Sequence, residues 1–486
     1  MRILCVGRCH DHRDRRLLIE NVIIADAQTA CEMTNGSLAN PSLVKKRFRG
    51  ASNDTRSLKK GNAFFCLAGG NTDGHEFAET ARDLGAGAIF ADKNRAARWK
   101  HWTIPVISVD DPLTALGDLA CEYRKFFATR YVAVTGSVGK TTTKELIAGA
   151  LSAKYRVYKS PGNFNNLIGI PLALLARPLP RSDKCDLAVL EFGMSTTGEI
   201  KRLVEIVEPS WGVVTRIGAA HLMQMKTMAA IAKAKRELFD FSKPGVTAFL
   251  NLDDPHQRQW LARWRRPTVT YGLESERQPD YTADEITVDA RGVSFRVNRR
   301  HEFRLRLSGD YNVPNALAAI AVARHLGVPL TAIADRLRRV KPEGDRSRII
   351  RKSGVTLIAD CYNANPTSMR AAIEALLKHP KAGRRIAVLG AMRELGPESD
   401  KLHREIGQIA SGLDMVVTVG NDALAYHASI SNQHAEWISA TARVNAIDLL
   451  KRTLRTGDVT LVKGSHSEHL EEVVHELEKS LAADSR

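Results

Sequence analysis

The segment Tyr131-Val-Ala-Val-Thr-Gly-Ser-Val-Gly-Lys140-Thr-Thr-Thr143 constrains the fold of this chain more than any other. A short apolar strand runs into a glycine-rich turn, then a lysine and three hydroxyl side chains. The helix-prone stretch Lys144 to Leu151 follows. That order aims backbone N–H groups and a helix N-terminus at one point, which suits an anion and above all a phosphate. Gly136, Ser137, Val138 and Gly139 form the expected cradle, with Lys140 reaching the terminal phosphates and Thr141 and Thr142 opening the helix. The Thr141 hydroxyl can sit on Mg²⁺. The spacing is tighter than the common GxxxxGK[ST] loop, because Val134 stands where its first glycine would be. An ordinary strand-to-helix turn explains one Gly-Lys-Thr but not the hydroxyl run behind it, so the reading is ATP binding.

A chain of 486 residues has material for about three domains. Hydrophobic content of 44% and charged content of 26% describe a soluble globular protein. No leader pattern and no apolar run near membrane-spanning length is visible, so membrane insertion is not expected. Seven cysteines without paired spacing argue against a disulfide framework and for the reducing cytoplasm. Cys5 and Cys9 are too isolated for a zinc site.

The 71 basic and 54 acidic residues leave a net charge of +17. Such a surplus suits nucleic acid, an anionic surface or an acidic small substrate. The basic residues are scattered, with small clusters at Lys45 to Arg49, Arg263 to Arg266 and Arg296 to Arg306. No basic helix or aromatic-interleaved stripe appears, so no nucleic-acid partner is expected. A substrate rich in phosphates and carboxylates accounts for the sign equally well.

The pattern predicts an additional polar segment at 1–20 and three blocks, 21–128, 129–340 and 341–486. In the first, strands are expected at Ala63 to Leu67 and Ala88 to Ala91, around a helix at Phe77 to Leu84. In the second, strands are expected at Asp186 to Glu191, Gly212 to Arg216 and Val246 to Asn251, with a closing helix at Asn315 to His325. The third alternates strand and helix from Val355 to a final helix at about Ser467. That repetition predicts a parallel sheet covered on both faces. The fold class is α/β, with a mainly parallel central sheet and a Rossmann-like C-terminal domain.

Single polar residues sit where the central strands end. Glu191 closes an apolar strand at its C-terminal edge, where open α/β sheets bind ligands, and an acid there can hold Mg²⁺. His221 follows the next strand, and Lys235 lies in a helix-prone stretch. Each alone also reads as a surface acid, a core histidine or a solvated lysine. The loop Ser160-Pro-Gly-Asn163-Phe-Asn165-Asn166 offers three amides to a polar substrate, where an ordinary turn would explain one.

Together these motifs resemble the ATP-dependent Mur ligases of peptidoglycan synthesis. The resemblance runs from about Ile24 to the C-terminus and rests on TGSVGKTTTKE, PGNFNNLIGIPL, LEFGM, GAAHL, AKAKRELF, LNLDDP, SGDYNVPNALAA, ADCYNANPTSM and LVKGS. DTRSLKKGNAFFCLAGGNTDGHEF is similar to the family's UDP-binding domain. PGNFNN and YNANP point to the branch that joins D-Ala-D-Ala to UDP-MurNAc-tripeptide.

The resemblance implies an acyl phosphate made from ATP and attacked by the incoming amine. It assigns catalysis to Lys140, Glu191, His221 and Lys235, one Mg²⁺ to Thr141 and Glu191, and a second to His221 and Lys235. The family's lysine at position 235 is carbamylated. Asn312, Asn315, Arg346 and Asp360 would contact adenine and ribose. Asp54, Thr55, Arg56, Asn163, Asn165, Asn166, Asn363 and Asn365 would contact substrates, and the enzyme would act as a monomer.

Ala391 stands where the family has Asp, His466 where it has Arg, and Cys361 follows Asp360. These departures leave open a relative joining a different amine to a different carboxylate. A nucleic-acid-binding NTPase lacks its groove. A non-catalytic scaffold would be expected to lose Lys140, Glu191, His221 or Lys235, all of which are present.

Overall fold

The structure is a computed structural model and describes residues 25–70, 72–176, 185–262, 264–289, 291–380, 383–429 and 435–483. The 1–20 segment, with Cys5 and Cys9, lies outside the described residues. The chain divides into two compact units. One holds the residues up to Tyr131 with Ser160–Ala188 and Lys201–Glu208; the other holds Val132–Lys159, Val189–Ile200 and Pro209–Arg486.

The first unit carries a five-stranded sheet of β1 (Ser37–Leu38), β2 (Ala51–Ser52), β3 (Ala63–Phe65), β4 (Ala88–Asp92) and β5 (Val106–Val109), in the order β1-β5-β4-β3-β2. β2 to β5 run parallel and β1 pairs antiparallel with β5. Strands β3 to β5 are mostly apolar and almost wholly buried, as strands covered on both faces are. Phe65 and Phe90 stack with centroids 4.2 Å apart. Helix α1 (Pro112–Arg124) starts at Asp111, whose carboxylate accepts the Leu113 and Thr114 N–H groups.

The central sheet has nine strands. In chain order they are β6 (Arg130–Thr135), β7 (Val157–Lys159), β8 (Leu187–Glu191), β9 (Trp211–Val214), β10 (Thr247–Asn251), β11 (Thr268–Gly272), β12 (Tyr281–Asp289), β13 (Gly292–Val297) and β14 (His301–Leu305). Their spatial order is β14-β13-β12-β11-β10-β9-β6-β8-β7. Val132, Ala133 and Val134 of β6 are fully buried, and burial of each of the two valines contributes roughly 1.5–3 kcal/mol. Strand pairing is parallel from β6 through β9, β10 and β11 to β12, and antiparallel among β12, β13 and β14. This antiparallel ribbon is a feature the sequence pattern did not predict. Its tip is a tight turn with Asn298 and Arg299 both at positive φ.

Two helices flank the phosphate loop: α2 (Lys140–Leu151) and α3 (Met228–Asp240). Helix α2 begins four residues before the Lys144 start expected from propensity, because Gly139, at φ +85°, turns the chain directly into it. Helix α4 (Val313–His325) packs on α2 and is rich in small buried side chains, Ala316, Ala319 and Ala323 among them.

The C-terminal sheet is built from β15 (Arg348–Lys352), β16 (Val355–Ala359), helix α5 (Pro366–Lys378), β17 (Arg385–Gly390), α6 (Ser399–Ala410), β18 (Met415–Val419), β19 (Glu436–Ala440), α7 (Arg443–Thr453), β20 (Val459–Lys463) and α8 (Glu471–Ala483). The order is β15-β16-β20-β17-β18-β19. The expectation of a wholly parallel sheet is corrected at one edge, where β15 pairs antiparallel with β16. Ser353 and Gly354, both at positive φ, make the tight turn that a two-residue hairpin demands. The final helix begins at Glu471, later than expected.

Candidate active site

The phosphate loop is held open by its neighbours. Gly136 has φ +148°, and a Cβ there would fall 2.0 Å from Thr215 Oγ1. Thr215 in turn donates to the Val138 carbonyl at 2.6 Å, and Ser137 N–H donates to the Arg216 carbonyl at 2.7 Å. A Cβ on Gly139 would meet Asn315 Oδ1 at 2.4 Å. Both glycines are therefore required by close approach as well as by φ. The Ser137 hydroxyl is buried and finds no hydrogen-bond partner among the described residues. A buried polar atom is costly unless satisfied, and a phosphate oxygen in the cradle would satisfy it.

At the head of α2, Thr141 Oγ1 donates to Glu191 Oε2 at 2.7 Å, and both side chains are buried. Lys140 folds back, with Nζ 3.5 Å from the Ser137 carbonyl. Burial pushes the Lys140 ammonium below its ordinary range, Glu191 opposes that push and Arg346 adds to it. Asn315 accepts from Thr143 at 3.2 Å and donates to Asn312 at 3.1 Å, and Asn312 donates to the Ser308 carbonyl. A shallow, partly open cleft lies beside the loop, lined by Thr141, Thr142, Glu145, Pro342, Glu343 and Arg346.

Lys235, on α3, is 2% exposed, and among the described residues no side-chain hydrogen bond or ion pair reaches it. Burial holds its amine well below the usual lysine range and nearby Lys140 pushes the same way, against Glu191, Glu199 and Glu237. The Glu237 carboxylate is fixed by the Gly198 N–H at 2.9 Å. His221 heads the short turn Leu222–Met225 with φ +57°. Its Nδ1 lies 2.5 Å from Glu394 Oε2. Burial holds the imidazole below its ordinary value; Glu394 opposes this, while Lys140 and Lys235 add to it. Among the described residues no three His, Cys, Asp or Glu side chains converge on one point.

On the C-terminal side, Asp360 accepts from Lys463 Nζ at 2.7 Å and from the Ser347 N–H at 3.1 Å. The Arg346 guanidinium lies 3.5 Å above the Tyr362 ring, and His466 stacks with that ring at 5.3 Å. Sequence reasoning passed over Tyr362, Lys463, Thr215 and Glu394. The quoted motifs contain Tyr362 and Lys463, Glu394 lies three residues beyond Ala391, and only the fold brings each to its partner.

The other expected residues have local duties. Asn365 accepts the Ser368 N–H and completes a capping box on α5, and Asn363 Oδ1 accepts the Ala364 N–H. Asn166 Oδ1 accepts the Ile168 and Gly169 N–H groups, in the loop that also carries Asn163 and Asn165. Asp54 accepts from both the backbone and the guanidinium of Arg56, across Thr55. Arg56 is almost fully exposed. These loops belong to the first unit, except Asn363 and Asn365, which belong to the second.

Three family models match the chain in succession: "Mur ligase family, catalytic domain" over residues 47–124, "Mur ligase middle domain" over 134–323 and "Mur ligase, glutamate ligase domain" over 345–466. The chain is 35% identical to the UDP-N-acetylmuramoyl-tripeptide--D-alanyl-D-alanine ligase of Bacillus subtilis, over 92% of this chain and 97% of that one. The Escherichia coli protein of the same name is 34% identical over the same shares. Among solved structures, MurF from Acinetobacter baumannii superposes with a TM-score of 0.83 at 29% identity, covering 93% of this chain and 98% of that one. MurF from Thermotoga maritima in complex with ADP gives 0.77 at 30% identity, covering 90% and 98%. A phosphate loop closed on Glu191, three successive family matches and relatives aligned along almost their whole length carry one conclusion: this chain belongs to the Mur ligase family.

Proposed function

We propose that this protein joins D-Ala-D-Ala to UDP-MurNAc-tripeptide, consuming ATP and giving the pentapeptide, ADP and phosphate. The observation that carries this reading is the set formed by the phosphate loop, the buried Thr141–Glu191 pair and the unpaired buried Lys235. The activity named for relatives at 34–35% identity supports it.

The terminal carboxylate of the tripeptide takes the γ-phosphoryl group, and the acyl phosphate is then attacked by the dipeptide amine with loss of phosphate. Transfer of this kind depends on positioning and charge neutralisation. Lys140 would steady the terminal phosphates, and the N–H groups of residues 136–142 would cradle them. Asn312, Asn315, Arg346 and Asp360 would hold adenine and ribose, with the cleft beside α2 at their side. Asp54, Thr55, Arg56, Asn163, Asn165 and Asn166 would bind the nucleotide-sugar peptide, and Asn363 and Asn365 the acceptor side.

Thr141 and Glu191 would hold one Mg²⁺, and His221 with a carbamylated Lys235 a second. Bound Mg²⁺ would neutralise charge on the transferring phosphoryl group. The residues fit this role: carbon dioxide carboxylates an amine in its unprotonated form, which burial favours at Lys235, and the carbamate is an anion where a plain ammonium would repel metal. With no three convergent His, Cys, Asp or Glu ligands among the described residues, each half-site would be completed by phosphate oxygens or by the carbamate.

Phosphate release with purified UDP-MurNAc-tripeptide, scanned over dipeptides and single amino acids, tests the reading. Turnover dependent on D-Ala-D-Ala is expected. Equal or better turnover with another amine would replace it with the relative suggested by Ala391 and His466.

A further inference from the structure

The His221–Glu394 contact joins residues 173 positions apart, and neither the reaction outlined above nor the sequence motifs assign Glu394 a task. Both residues adopt positive φ, +57° and +63°, which side chains other than glycine rarely do. Outliers of this kind persist where the surroundings impose them, and they cluster at functional sites. Here the surroundings do so from both sides. Met223 N–H donates to the Glu394 carbonyl at 3.1 Å, seating the Leu222–Met225 turn on the segment that carries Glu394. Arg393, next in the chain, is tied down by Glu468 at 2.8 Å and Asp422 at 2.5 Å, and its N–H by Ser465 Oγ at 3.0 Å. Leu395 is buried on the other side. The segment is thus anchored to the loops that follow β18 and β20 and presents one carboxylate to the imidazole.

An ionised carboxylate only accepts hydrogen bonds, so the bond at Nδ1 requires Nδ1 to carry the proton and leaves the lone pair on Nε2. Metal-binding histidines are oriented in this way by a carboxylate on their far nitrogen. We propose that Glu394 is the positioning residue for His221, fixing the tautomer in which Nε2 is offered to the second metal. The inference rests on the reading of His221 as a metal ligand. It adds that this ligand is set by the C-terminal segment, so the metal site is complete only when residues 393–396 are seated on the Leu222–Met225 turn.

The test uses the full chain with ADP, Mn²⁺ as probe, and three variants, Glu394→Ala, Glu394→Gln and His221→Ala. Mn²⁺ binding is followed by electron paramagnetic resonance. The His221 tautomer is followed by long-range ¹H–¹⁵N NMR on histidine-labelled protein, with His221→Ala giving the assignment. Glu394→Ala is expected to weaken the His221-dependent Mn²⁺ site about tenfold to a hundredfold and to let the tautomer equilibrate. Glu394→Gln, whose amide oxygen still accepts from Nδ1, is expected to retain the tautomer and most of the affinity. It keeps the test decisive if the alanine variant fails to fold. Normal Mn²⁺ binding in Glu394→Ala with an unchanged tautomer, or a Gln variant that loses the tautomer, overturns the proposal. If His221→Ala binds Mn²⁺ as the unaltered protein does, the metal-ligand reading falls and takes this proposal with it. If only His221→Ala weakens binding, the role of Glu394 alone falls.

Discussion

Lys235 lies buried on α3 beside Lys140, and that position sets its chemistry. Its amine is held well below the ordinary 10.5 by burial, so between that depressed value and 10.5 the unfolded chain binds a proton that the folded chain does not. Stability therefore rises with pH through this window, and the cost of the buried ammonium is full below it. Lys235→Met should accordingly melt above the unaltered protein in metal-free, CO₂-free buffer at about pH 6, and lose that advantage by about pH 10. A constant difference across the range, read by calorimetry, would contradict a buried titrating amine. Lys235→Ala should be nearly inactive and partly rescued by acetate or formate, because either can fill the vacated anion position. Lys140→Ala should lower kcat by about 10³ or more, as loss of a phosphoryl clamp does. Near-normal turnover in a folded variant would remove Lys140 from the phosphate site. Lys140, Thr141 and Glu191 were legible in the sequence because each lies at a strand end or helix start; Lys235, in the middle of α3, was reached only through the family resemblance. Glu394 was not legible, because its meaning depends on a partner 173 residues away.

The strands and helices divide in the same manner. Continuous apolar runs such as Leu187–Glu191 and Met415–Val419 announce themselves, since a parallel strand buried on both faces has one readable signature. The β12–β14 ribbon does not, because its nine-residue first strand alternates half-buried with exposed positions among charged side chains, with only Ala283 buried. Its register also slips between Asp284 and Thr287. Edge strand β15 was hidden similarly, being rich in Arg and Lys. The turn between β6 and α2 is sensitive to a single atom. Gly136→Ala would drive a methyl group against Thr215 and require an unfavourable φ. A loss of about 1–3 kcal/mol is expected, together with a rise of about tenfold or more in the ATP KM as the loop shifts. Chemical denaturation and initial-rate kinetics would show both, and an unchanged KM would mean that the loop does not shape the nucleotide site.

Across the whole molecule the surplus of +17 is dispersed, and many of the arginines are already engaged, Arg304 with Asp289 and Arg384 with Asp458 among them. No helix among the described residues is long and apolar enough to cross a membrane. Filter binding to single- and double-stranded DNA at about 150 mM salt, where screening acts within about 8 Å, should find no complex tighter than micromolar. A sub-micromolar complex would mean that the charge serves nucleic acid after all. The tip of the β13–β14 hairpin has a practical value of its own. Arg299 is exposed there, and Asn298 secures the turn from within by accepting the Thr282 N–H. Exposed tips of this sort tolerate inserted sequence. A short epitope or a dye-bearing cysteine spliced between Arg299 and Arg300 would give microscopy and pull-down a grip that leaves the parallel part of the sheet unaltered.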